Sequence, residues 1–249
     1  MLSRFLLPAV LLALTGCSQL ATAPAEAPSP SVSTATDLPL DIRWVRRSAE
    51  HRAVYAQTYR AAGLHLRAVA DTLSARDWAV VLDADETLLD NSLYQRERAE
   101  IGLGFTPETW NDWVRREEAT ALPGAVAFTS LIRDLGGRVV VVTNRDDIVC
   151  DETRRNLAAV GIAVDGVLCK DEGSDKNVRF ARVERGELEG LPPLTVVMWL
   201  GDNIGDFPRL SQDVRFEGED ALSLFGSQYW AFPNPMYGSW TGNAEATTD

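Results

Sequence analysis

Asp83-Ala84-Asp85 stands where a short apolar run, Val80-Val81-Leu82, ends. Two carboxylates one residue apart repel each other, so a site that keeps both needs a positive partner. Two more runs end in polar groups: Arg138 to Val142 leads into Thr143-Asn144-Arg145, and Leu194 to Leu200 leads into Gly201-Asp202-Asn203-Ile204-Gly205-Asp206. Lys176 lies in a polar loop between them. Ligands of open α/β sheets bind outside the carboxyl ends of the strands. If these three strands are neighbours, Asp83, Asp85, Thr143, Lys176, Asp202 and Asp206 share one crevice. Grouped carboxylates suit a hard divalent cation, and Mg2+ suits few carboxylates together with water and a phosphate oxygen. One aspartate is then placed to attack phosphorus and form an aspartyl-phosphate. The acid two residues away can protonate the leaving oxygen. Thr143, backbone N–H groups and Lys176 would neutralise the phosphoryl oxygens. Singly, each part has a plain explanation, since Asp caps helices and makes turns and most lysines are solvated. The joint pattern, in order and at domain-sized spacing, is what selects phosphoryl transfer.

The elements that must hold these groups alternate along the chain. Residues 42–74 show helical spacing through Tyr55, Thr58, Tyr59, Ala62, Leu66 and Val69, with a break expected near Gly63. The first strand follows from about Trp78 to Asp83. Residues 91–122 mix Tyr94, Phe105, Trp110 and Trp113 with many charges and are broken by Gly102, Gly104 and Pro107. They show no strand pattern and read as a small helical lobe above the strand ends. Helices are expected over 125–135, 151–160 and 178–188, and strands over 138–145, 162–168, 194–200 and 229–232. Continuous β-branched runs such as Val139 to Val142 imply burial on both faces. The expected class is therefore α/β: a Rossmann-like, mainly parallel sheet with helices on both faces, plus the small lobe.

Acidic residues outnumber basic ones, 36 to 24, giving a formal charge of -12. That balance argues against a nucleic-acid polymer as partner, because backbone binding needs a basic face. A small anion can still be drawn in by a local lysine and a metal ion. His51 and His65 fall in the first helical stretch and read as packing or surface.

The first 16 residues read as a targeting segment: Arg4, an apolar run from Phe5 to Leu14, then Leu14-Thr15-Gly16-Cys17. This resembles the lipobox of bacterial lipoproteins, with cleavage before Cys17 and lipid attached to it. By the same resemblance, Ser18 favours outer-membrane sorting. Residues 17–37 are rich in Ala, Pro, Ser and Thr and read as a disordered tether with an end-to-end distance of roughly 25 Å. Residues 38–249 form the expected catalytic domain, its helical lobe drawn mainly from 41–75 and 91–122. Cys150 and Cys169 read more readily as two separate buried thiols than as a disulfide, although an oxidising periplasm permits a bridge.

Asp83-Ala84-Asp85-Glu86-Thr87 resembles the first motif of the haloacid dehalogenase-like phosphatases, and Thr143, Lys176 and Gly201–Asp206 resemble the other three. The flanks Leu89–Ser92, Val142–Arg145, Ser174–Arg179 and Pro233–Trp240 are similar to the class C acid phosphatases, which are themselves bacterial lipoproteins. The resemblance implies Asp83 as nucleophile and Asp85 as general acid/base. It implies Mg2+ held by Asp83, the Asp85 main-chain carbonyl and Asp202, with Asp206 reaching it through water. Thr143, Asn144 and Lys176 would hold the phosphate. Some members cleave nucleoside monophosphates and clamp the base between aromatic rings, which Tyr237 and Phe105 would match.

The resulting expectation is an Mg2+-dependent acid phosphatase acting on small phosphomonoesters, 5′-nucleotides among the candidates. The alternatives are a phosphotransferase on the same scaffold, or a surface-tethered binding lipoprotein without catalysis. Oligomeric state stays open, a homodimer being one option.

Overall fold

The computed structural model describes residues 38–171 and 173–244. The targeting segment, Cys17 and the tether lie outside the described residues. In chain order the elements are α1 (Leu40–Arg47), α2 (Ala49–Ala70), β1 (Trp78–Leu82), β2 (Leu89–Asp90), α3 (Ser92–Glu100), α4 (Pro107–Arg116), β3 (Thr120–Ala121), α5 (Ala125–Asp134), β4 (Arg138–Asp146), α6 (Cys150–Ala159), β5 (Gly166–Lys170), α7 (Asn177–Arg185), β6 (Thr195–Gly201) and β7 (Tyr229–Ala231).

Five strands form one parallel sheet in the order β5-β4-β1-β6-β7. β1 sits at its centre: Leu82 pairs with Val141 of β4 on one side and Leu200 of β6 on the other. The chain winds outward from β1 in one direction and then in the other. The crevice where such a sheet reverses is thus at the end of β1, where ligands bind in doubly wound folds.

Strand alternation divides the core into two layers. Val80, Leu82, Val139, Val141, Met198 and Leu200 face α2, α5 and α6 through Tyr59, Leu66, Phe128, Ile132 and Leu157. Ala79, Val81, Val140, Val142 and Trp199 face Phe180 and Val183 of α7, with Leu188, Phe207 and Tyr229 beyond. All five residues of β1 are buried, so its Trp-Ala-Val-Val-Leu run is apolar on both faces because both faces are covered.

Two features differ from the sequence reading. The first helical stretch breaks at Ser48, not near Gly63. Ser48 is extended, and its hydroxyl accepts from His51 N at 3.1 Å to cap α2. Gly63 lies inside α2 at a close approach to α5, where an added Cβ would stand 3.1 Å from Leu131. Close packing, not chain reversal, is what this glycine serves. The cysteines also differ: Cys150 at the start of α6 and Cys169 in β5 form a disulfide, with Cα atoms 5.9 Å apart. The expectation of two free thiols failed because 19 residues of separation say nothing about proximity; the parallel crossover from β4 through α6 to β5 is what brings them together.

The region over 91–122 is helical as expected, with one addition: β3 pairs antiparallel with β2 at the lobe's base. Thr106 caps α4 through Thr109 N, Pro107 occupies its first turn, and Glu117 ends it in the left-handed conformation (φ 54°). Among the described residues no helix is long and apolar enough to cross a membrane.

Candidate functional site

β1 ends by handing Asp83 to the crevice, and Asp83 N donates to Leu200 O of β6 at 2.9 Å. That bond ties the first acid to the strand that delivers the next two. At the end of β6, Gly201 is required by close approach, since an added Cβ would meet the Asp206 carboxylate at about 2.3 Å. Asn203 then turns the chain: its Oδ1 accepts from Gly205 N at 3.0 Å, and Asp206 Oδ2 accepts from Asn203 N at 2.8 Å. The turn folds Asp206 back beside Asp83. One carboxylate oxygen from each of Asp83, Asp202 and Asp206 lies within 4.8 Å of the others.

Lys176, at the start of α7, enters this group from the far side. Its Nζ donates to Asp83 Oδ1 at 2.5 Å and to Asp206 Oδ1 at 2.6 Å, and its side chain is 3% exposed. Asp202 is held separately: its Oδ2 accepts from Asn234 Nδ2 at 2.8 Å. Burial pushes Asp83 up to about 7; Lys176 opposes the rise, while Asp206 and Asp85 add to it. Burial, then Asp206 and Asp83, hold Asp202 well above the usual carboxylate range. Burial works against the charge of Lys176, but Asp206 and Asp83 outweigh it and raise the ammonium above its usual value. Three acids thus meet with one lysine, which bonds to two of them. Such an oxygen-only donor set, short of positive charge, fits a hard divalent cation.

Asp85 points elsewhere. Its Oδ1 accepts from Arg145 Nε at 2.8 Å and from Asn91 Nδ2 at 2.9 Å, and the Arg145 NH2 nitrogen stands 2.7 Å away in the same ion pair. Its carboxylate lies outside the three-acid group. Asp85 lines both a polar cleft of about 460 Å³, shared with Asp83, Asn144, Lys176 and Asp202, and a more apolar chamber of about 670 Å³.

β4 positions the remaining groups by alternation. Thr143 and Arg145 are fully buried on one side of the strand, and Asn144 between them is exposed. Thr143 Oγ1 accepts from Arg145 N at 3.1 Å. The cleft wall carries Asn144, and Thr143 lies behind it. Arg179 of α7 fastens the pair: one nitrogen donates to Thr143 O and another to Asn144 Oδ1 at 2.5 Å. The end of β4, which bears Asn144, and the start of α7, at Lys176, are thereby joined.

The chamber beside Asp85 is walled by Phe105, Trp110, Met236 and Tyr237, with the polar groups of Gln95 and Asn144. Phe105 is 60% exposed and its ring centroid is 6.1 Å from that of Trp110. Tyr237 lines both cavities, and its hydroxyl is buried with no partner among the described residues. Phe105 and Tyr237, far apart in the sequence, thus face one space.

Sequence reasoning gave no role to Arg145, Asn91, Asn234 or Trp110. The first three sit in the motif flanks, and strand alternation alone puts Arg145 on the side of Thr143. Trp110 carries no comparable signal, because its chamber forms only when the lobe folds over the strand ends.

Residues 23–240 match the family described as HAD superfamily, subfamily IIIB (acid phosphatase). Among solved structures, the chain is similar to the class C acid phosphatase from Bacillus anthracis, with 32% identity and a TM-score of 0.73, covering 81% of this chain and 85% of that one. A second structure of the class C acid phosphatase from that organism, with tungstate bound, matches with the same values: 32% identity, TM-score 0.73, 81% and 85% coverage.

Proposed function

The chain belongs to the acid phosphatases of the haloacid dehalogenase (HAD) superfamily, subfamily IIIB, and from that premise we propose that it hydrolyses small organic phosphomonoesters through a phosphoryl group carried on Asp83. The observation that carries this reading is the division of labour between the two acids at the end of β1. Asp83 faces Lys176, Asp202 and Asp206, while Asp85 is turned away toward the chamber.

Asp83, the Asp85 main-chain carbonyl, Asp202 and Asp206 would hold Mg2+, which when bound supplies charge neutralisation and Lewis-acid polarisation of a phosphoryl oxygen. The rest falls to side chains. Lys176 and Asn144, on the cleft wall, hold the phosphoryl oxygens; the Thr143 hydroxyl, just behind that wall, accepts from Arg145 N and keeps its own proton to donate toward the phosphoryl group. Asp83 attacks phosphorus as the bond to the leaving oxygen breaks, and Asp85 gives that oxygen its proton. Asp85 then takes a proton from water, which attacks the aspartyl-phosphate to free inorganic phosphate and restore Asp83. The tungstate-bound relative supports an oxyanion-binding reading of the polar cleft.

The chamber gives the leaving group its place. Phe105, Trp110 and Tyr237 suit a flat aromatic group, so 5′-nucleotides are the proposed preferred substrates. The motif at Cys17 supports a lipid anchor in the outer membrane. Its test is metabolic labelling with a fatty acid, which a Cys17→Ser protein should fail to incorporate.

The direct test of the chemistry is phosphate release from nucleotide, sugar and aryl phosphates with Mg2+ or EDTA. Asp83→Asn and EDTA should each abolish release, and turnover surviving in Asp83→Asn protein sinks the nucleophile assignment.

A further inference from the structure

Asp85 is held by a network that reaches from the central sheet into the lobe. Arg145 is 0% exposed and directs both Nε and an NH2 nitrogen at Asp85 Oδ1. The same NH2 nitrogen donates to Asn91 Oδ1 at 3.1 Å, and Trp113 Nε1 of α4 donates to that oxygen at 2.8 Å. Two donors on Asn91 Oδ1 leave its amide NH2 one way to face, toward Asp85 Oδ1 at 2.9 Å. Asn91 is itself anchored, its N–H donating to Glu86 Oε1 at 2.8 Å.

The Arg145 and Asn91 donors meet at one oxygen of Asp85. Its Oδ1 receives Nε and the Asn91 amide and lies 2.7 Å from the NH2 nitrogen, so Oδ2 is the oxygen left to exchange a proton with a substrate. Resting on the assignment of Asp85 as proton donor, we infer that Arg145 is a positioning residue: through Asn91 and Trp113 it fixes the Asp85 carboxylate so that Oδ2 presents to the leaving oxygen. Arg145 lines neither the polar cleft nor the chamber. It is sealed behind Asp85, with its guanidinium carbon 5.9 Å from the ring centroid of Trp110 on the chamber wall. Lysine would restore the charge but not the fork that sends one N–H to Asp85 Oδ1 and another to Asn91 Oδ1.

A purely structural ion pair would, when broken, lower activity on every substrate alike. A positioning role lowers it most where the leaving oxygen most needs a proton. The experiment therefore compares kcat/KM, which reports steps up to loss of the leaving group, for 4-nitrophenyl phosphate and an alkyl phosphate. Arg145→Lys is expected to lose about tenfold more on the alkyl ester than on the nitrophenyl ester, a part of the roughly 10²- to 10⁴-fold that general acids contribute. In an Asp85→Asn background, Arg145→Lys should add no further selective loss. Trp113→Phe keeps the ring and removes one donor to Asn91; it should show the same selectivity more weakly, and it decides the matter if Arg145→Lys protein does not fold.

Equal losses on both esters, or a selective loss that persists in the Asp85→Asn background, overturn the inference. If Asp85→Asn is itself unselective, the proton-donor assignment falls and takes this inference with it. If Asp85→Asn is selective while Arg145→Lys and Trp113→Phe are not, the inference alone falls.

Discussion

Lys176 Nζ lies 2.5 Å from Asp83 Oδ1, with both side chains at most 8% exposed. Removing the cation leaves buried carboxylates that repel one another. Lys176→Met should therefore lose phosphate release and also lose stability at pH 7, by about 3–5 kcal/mol, the scale for stripping one partner from a buried pair. The cost should shrink at pH 5, where protons can replace the lysine. Urea unfolding in EDTA at both pH values checks this, and an equal loss at the two would contradict it.

The wild-type acids set a second expectation. Asp83 rises to about 7 when folded, and Asp202 is also raised, both chiefly by burial. Between the unfolded value of roughly 4 and the folded value, the native state holds more protons than the unfolded chain. Their contribution is fully present below the unfolded value and is lost as pH rises toward 7. Without metal, wild-type stability should thus fall over this range more steeply than that of Asp202→Asn protein. Taking the difference cancels partly buried acids whose values are lowered, such as Asp146 beside Lys170 and Glu97 beside Arg116. A parallel pH dependence for the two proteins would refute it.

Bound metal should reverse that slope, because the acids must be deprotonated to hold it. At a Mg2+ concentration about 100 times its dissociation constant, stability should rise by about 2.7 kcal/mol. Asp83→Asn should show a much smaller rise. Thermal melts across a Mg2+ titration at pH 5 and pH 7 measure both effects, and a metal response that is stronger at pH 5 would contradict the reading.

Much of this centre was legible because strand periodicity is local. Val80 to Leu82, Val139 to Val142 and Leu194 to Leu200 mark themselves as two-sided buried strands, and the polar residues after each run then stand at a carboxyl end. Parallel neighbours do the converging. The parts that stayed hidden depend on contacts distant in sequence. The loop carrying Asn203 and Asp206 could be read, but its brace, Asn234 on Asp202, enters from the far end of the chain. Arg145 carries no local sign of its role, because Asn91 and Trp113, which fix it, come from the lobe. Gly63 looked like a helix breaker because propensity carries no information about α5 lying against it.

The Cys150–Cys169 bridge clamps the exit of β4 to the end of β5, where Lys170 pairs with Asp146 at 2.7 Å. Closing a loop of 19 residues removes unfolded-state entropy worth about 3 kcal/mol. A Cys150→Ala/Cys169→Ala protein should unfold at correspondingly lower urea, with its Mg2+ response intact, since neither sulfur borders the acids. An unchanged midpoint would mean the bridge constrains nothing beyond what the β4–β5 ladder already holds.

Tyr237 offers the sharpest separation of leaving-group binding from chemistry. Its ring lines both the polar cleft and the aromatic chamber, opposite Phe105 and Trp110 in the latter. A stacked base is worth about 1–3 kcal/mol per ring, or roughly 5- to 150-fold in kcat/KM. Tyr237→Ala should lose that factor on 5′-nucleotides and little on a small alkyl phosphate, while Tyr237→Phe should retain most of the activity on both because the ring remains. Phe105 is more exposed, so Phe105→Ala should fall at the lower end of the range. A Tyr237→Ala enzyme equally impaired on nucleotides and alkyl phosphates would place the ring in the packing of the cleft wall, and the proposed nucleotide preference would then have to rest on Phe105 and Trp110.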